Sequence, residues 1–79
     1  MKIKNTFLIC IMTIAKKGYR YYIRRADDYF NAVKIVNRFL LNTRTTWIRV
    51  LKLEPSGTLW QEISFLDCRV PQSKYKLPL

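Results

Sequence analysis

Residues 6–15, TFLICIMTIA, set β-branched and large apolar side chains one after another with no stripe at intervals of three or four. A run that is apolar at both parities predicts a strand covered on both faces, which belongs in the middle of a sheet. Lys16-Lys17-Gly18 supplies a turn and YRYYIRR resumes in extended form, so residues 6–25 are expected to form a β-hairpin. The apolar period then changes. Tyr29, Ala32, Val33, Val36, Phe39 and Leu40 recur at intervals of three and four, with Asn31, Lys34, Asn37, Arg38 and Asn42 mostly elsewhere. This predicts a helix over about 27–41. Asp27 and Asp28 would open it, because carboxylates suit the orphan N–H groups and the positive dipole end, and a left-handed Asn42 would close it.

TWIRVLKLE has strand composition, and Glu54-Pro55-Ser56-Gly57 offers a tight turn with proline second and glycine fourth. TLWQEISFL is the returning strand, and the closing stretch 71–79, with its prolines and lysines, reads as an irregular tail. The sum is one α+β domain over 1–70, in the order ββαββ. With both hairpins antiparallel and a right-handed helical crossover between the second and third strands, those two run parallel with room for one strand between them. The doubly apolar first strand fills that gap. The expected sheet is four-stranded and antiparallel, ordered 2-1-3-4, with the helix on one face.

Alternation then assigns faces. In the second strand Tyr19, Tyr21 and Ile23 are the more apolar set and are expected under the helix, leaving Arg20, Tyr22 and Arg24 outside. Ile48 and Val50 point inward in the third strand, with Trp47, Arg49 and Leu51 outward. In the fourth, Leu59, Ile63 and Phe65 go in and Trp60, Glu62 and Ser64 go out. A slip of one residue exchanges the faces of a strand.

Charge gives this open face a meaning. Fifteen Lys and Arg against five Asp and Glu leave +10, so self-repulsion opposes folding and an anionic partner would relieve it. A face that combines Tyr22, Trp47 and Trp60 with Arg20, Arg24 and Arg49, next to Lys16, Lys17 and Arg25 of the hairpin, suits nucleic acid. Flat rings stack on unpaired bases while guanidiniums take phosphates, and a basic hairpin can also lie in a duplex groove. The expected function is a small, non-enzymatic nucleic-acid-binding module. The alternative is an inhibitor or adaptor, of the kind small viral or mobile-element genomes encode, that docks on an acidic or nucleic-acid-binding protein surface through the same Trp and Arg anchors. Cross-strand aromatic pairs also stabilise a sheet unaided, and an uncovered face can close by homodimerisation or beneath Val70, Tyr75 and Leu77 of the tail.

Other classes fit poorly. The chain has no histidine, its carboxylates are scattered or placed to cap a helix, and two glycines make no phosphate loop, so neither catalytic residue nor cofactor is expected. Cys10 and Cys68 lack metal-ligand spacing; two reduced, buried thiols in a cytoplasmic protein are expected rather than a disulfide, with inert packing favoured over the alternative that Arg69 lowers the pKa of Cys68. The opening MKIKNTFLICIMTIA resembles a secretory signal, yet its apolar run is short and ends in Lys16-Lys17-Gly18, which favours the strand. That run is also too short to cross a bilayer as a helix, and a helix with only Lys34 and Arg38 as cations makes a weak membrane anchor.

Overall fold

The computed structural model describes residues 6–69. Strand β1 (Phe7–Ala15) and strand β2 (Gly18–Ala26) form the first hairpin, helix α1 (Tyr29–Leu40) follows, and strands β3 (Thr45–Leu53) and β4 (Trp60–Asp67) form the second. All four strands pair antiparallel in one sheet ordered β2-β1-β3-β4, as the connectivity predicts. The tail 71–79, with Val70, Tyr75 and Leu77, lies outside the described residues. No helix among the described residues is long and apolar enough to cross a membrane.

Local chemistry accounts for each boundary. The first turn is Lys16-Lys17, with no positive φ at either lysine, and the unusual backbone falls on Gly18 at φ 133°. In the second, the Gly57 N–H donates to the Glu54 carbonyl at 2.8 Å, and Gly57 takes φ 76°, where a side chain would be strained. Asp28 caps the helix: its Oδ1 accepts from the Asn31 N–H at 2.8 Å, and its Oδ2 accepts from the Asn31 amide at 3.0 Å. The helix does not end on a left-handed Asn42. Among the described residues no non-glycine residue has positive φ, Leu41 forms the C-cap in right-handed geometry, and Asn42 works through its side chain, accepting from the Arg44 N–H at 2.9 Å.

The core lies between the helix and the middle of the sheet. Ile9, Ile11, Val36, Ile48 and Val50 are fully enclosed, joined by Phe7, Ala26 and Ala32. The helix covers β1, β2 and β3, while β4 extends past it and contributes half-buried Ile63 and Leu66.

Two bulges and the hairpin register decide which side chains face the helix. Ala15 pairs with Gly18, so Ile11 stands beside Tyr22, Ile9 beside Arg24 and Phe7 beside Ala26. Because Phe7, Ile9 and Ile11 are core residues, Arg20, Tyr22 and Arg24 lie on the helix side. This reverses the expected faces of β2: Tyr19, Tyr21 and Ile23 are on the open side and half or more exposed. The physical reason is that the turn sets the register and β1 is apolar on both faces, so hydrophobicity within β2 has no vote. Tyr22 alone of its set packs inward, its ring 5.7 Å from Phe39, and Ala26 fills the tight corner before the helix.

In β4 the pairing slips between Val50 and Leu51, so Ile63 is the extra residue and the alternation breaks there. Ile63 points to the core as expected, whereas Ser64 falls opposite core Val50 and Phe65 opposite Arg49, on the open side. Leu59 precedes the strand and is exposed. In β3, Ile48 and Val50 inward and Trp47, Arg49 and Leu51 outward match expectation.

Two faces as the candidate functional site

The nine candidate residues do not meet on one surface. Trp47, Arg49 and Trp60 occupy the open face, Arg20, Tyr22 and Arg24 the helix side, and Lys16 and Lys17 the connecting turn. Arg25 is out of phase with the second group, and its Nε lies 3.6 Å from Asp27. The expected mixture of rings and guanidiniums is therefore divided by the sheet itself.

The open face carries a row of rings across three strands. Trp47 stands 5.9 Å from Tyr21 at a tilt of 55° and 5.9 Å from Phe65 in a stacked arrangement. The Arg49 guanidinium lies 5.6 Å from the Trp47 ring centre and 5.8 Å from that of Phe65. Its Nε also meets Glu62 Oε1 at 2.6 Å, so the cation is already neutralised and stacked. Asp67 is likewise held by Arg69, which donates from Nε and Nη2 at 2.9 Å and from its backbone N–H at 3.1 Å. Those bonds pull the Asp67 carboxyl down to about 2. Cys10 reaches this face beneath its neighbours, and its hydrogen bond with Tyr21, with some burial, raises the Tyr21 pKa. Met12, Ile14, Tyr19, Trp47 and Phe65 bound a shallow apolar recess at one end.

Trp60 is not part of that row. It pairs with Leu53, whereas Trp47 pairs with Asp67, so the two tryptophans sit at opposite ends of the face. At ~3.3 Å per residue their separation along the strands is about 20 Å, too far for successive bases of one short stack.

The helix side gathers the unpaired cations. Arg24 lies over the Tyr22 ring at 5.2 Å, with Arg20 next along the same edge strand. Lys34 and Arg38 of the helix, with Arg25, Asp27 and Asn31, line a groove beside β2. Lys16, Arg20, Arg44 and Asn42 line a second recess at the turn end. Among the described residues the ion pairs are Arg25–Asp27, Arg49–Glu62 and Arg69–Asp67, which leaves Lys16, Lys17, Arg20, Arg24, Lys34, Arg38 and Arg44, and Lys52 opposite Phe7 on the far strand, without a carboxylate partner. Arg38, Arg44 and Phe65 escaped the sequence-level site. The bulge hid Phe65, and the crossover geometry that brings Arg38 and Arg44 beside β2 has no local signature.

Both cysteines are free, Cys10 buried and Cys68 partly so. Arg69 does not activate Cys68. It is committed to Asp67, while burial, and then the Asp67 charge, push the Cys68 thiol up. No group of three or more His, Cys, Asp or Glu among the described residues is arranged to hold a metal ion.

Compared with protein-family models, with curated proteins and with solved structures, the chain finds no match in any of the three.

Proposed function

We propose that the protein is a small nucleic-acid-binding module that grips the phosphate backbone along the helix-side flank of β2, by binding and not by catalysis. The supporting observation is the segregation of charge. Carboxylates pair with Arg25, Arg49 and Arg69, while Lys16, Arg20, Arg24, Lys34, Arg38 and Arg44 along one flank have no carboxylate partner. Phosphates would take the place of those missing anions, and the counterions released would drive association. The row of rings on the open face is separated by the sheet from these cations, and the ring beside them, Tyr22, is partly buried beneath Arg24, which favours contact with the backbone over stacking on bases, hence weak sequence preference. Two free thiols suit a reducing, cytoplasmic setting.

The test is binding of labelled single-stranded and duplex oligonucleotides across a salt series. Arg20→Gln with Arg24→Gln should weaken binding and reduce the log–log salt slope by roughly 0.7 to 0.9 for each lost contact. Arg49→Gln should leave it unchanged. A salt-insensitive interaction, or one lost only in Arg49→Gln, would overturn this assignment.

The open face favours a second reading, docking on another protein as an inhibitor or adaptor. Its charges are internally neutralised and its exposed Ile14, Tyr19, Tyr21, Ile23 and Phe65 have the chemistry of interface anchors. Phe65→Glu would abolish such docking and spare oligonucleotide binding.

A further inference from the structure

Resting on the nucleic-acid reading, but extending it to one locus, we propose that the recess between the β1–β2 turn and the loop following the helix is a phosphate-binding site built from Lys16, Arg20, Arg44 and Asn42. Three cations from three separate parts of the chain converge there, with Thr13 and Tyr22 on its walls. None of the three has a carboxylate partner among the described residues.

The loop that presents Arg44 is held in place. Its carbonyl accepts from the Ile14 N–H at 2.8 Å, and its own N–H donates to Asn42 Oδ1 at 2.9 Å. The buried Thr45 hydroxyl next to it donates to the Phe39 carbonyl at 2.8 Å. Asn42 Oδ1 already accepts from the Arg44 N–H, and the NH2 of the same amide adds two neutral donors. The recess thus combines cationic and neutral donors on an anchored backbone, which is what a tetrahedral oxyanion requires.

Two opposing effects are smaller. The helix C-terminus lies nearby and carries about half a negative charge, against three full positive ones. Its Phe39 carbonyl is moreover engaged by both the Thr45 hydroxyl and the Asn42 N–H. Asp27, Asp28 and Glu54 lie at the far end of the strands, since Ala26 pairs with Phe7 and the Leu53 N–H reaches the Thr6 carbonyl. A nine-residue strand spans about 30 Å at ~3.3 Å per residue, several screening lengths at physiological salt.

The ligand chemistry is a phosphate group, either a backbone diester or a free phosphate. Nuclear magnetic resonance of the arginine Nε–H and asparagine side-chain groups distinguishes them, with inorganic phosphate, sodium chloride at equal ionic strength and a labelled oligonucleotide as three titrants. Saturable shifts at Arg20, Arg44 and Asn42 are expected with phosphate and with oligonucleotide, and not with chloride. Arg44→Gln should weaken both several-fold and reduce the oligonucleotide salt slope by roughly 0.7 to 0.9. Asn42→Asp keeps the acceptor for the Arg44 N–H, so the loop is retained, yet it should abolish phosphate binding. Phosphate saturation without oligonucleotide binding would remove the nucleic-acid reading and leave a site for free phosphate. Oligonucleotide binding that depends on Arg24, Lys34 and Arg38, with no phosphate saturation and no effect of Arg44→Gln, would overturn the site and spare the nucleic-acid reading.

Discussion

At the scale of single residues, a few polar groups hold the corners of the fold. Thr45 is buried, and its hydroxyl donates to the helix-terminal Phe39 carbonyl, which also accepts from the Asn42 N–H. Thr45→Val keeps the shape and removes the donor, so it should lower stability by about 1 to 2 kcal/mol in urea titrations. Asp28→Ala removes the helix cap and should cost about 1 kcal/mol by the same measurement. Asp67 offers a pH-dependent counterpart. Its folded pKa is depressed from 3.8 to about 2 by Arg69, so its contribution is present above the unfolded value and is lost as pH falls from about 4 to about 2. Carboxyl resonances followed against pH should place the Asp67 midpoint near 2, and Arg69→Gln should return it toward the ordinary range. An unmoved midpoint in that variant would show that another group depresses it.

At the scale of elements, strand identity follows composition and turn chemistry, but the facing of each strand does not. The alternation in β3 was readable because Ile48 and Val50 are β-branched while Trp47 and Arg49 are not. In β2 the same logic failed. The hairpin closes on Ala15 and Gly18, β1 accepts either parity, and the edge strand places two exposed arginines on the helix side of the sheet. Tyr22 is the test of this arrangement. Tyr22→Ala should cost about 2 kcal/mol by loss of its packing on Phe39, less than the 3–5 kcal/mol of a fully buried aromatic. Tyr19→Ala, at a position 71% exposed, should stay within about 0.5 kcal/mol of wild type. Equal losses in both would mean that the register is shifted by one. The bulge at Ile63 produced the matching error for Phe65 in β4, because one inserted residue inverts everything beyond it.

At the scale of the whole molecule, the chain carries a net charge of +10, and among the described residues a thin core separates a neutral aromatic face from a cationic flank. Repulsion along that flank weakens the folded state, and a bound anion would relieve it. Phosphate should therefore raise the thermal midpoint above that in sodium chloride of equal ionic strength, following the linkage of ligand binding to stability. The increment should vanish in Arg44→Gln, and equal midpoints in the two salts would count against the phosphate site. The sequence by itself determined the strands, the turns, the helix, the order β2-β1-β3-β4 and the net charge, because these depend on local periodicity, turn geometry and connection handedness. Only the tertiary structure decided which face each outer strand presents and which cations stand together. Those outcomes depend on register and on bulges, where a shift of one residue costs little locally but turns every subsequent side chain through the sheet.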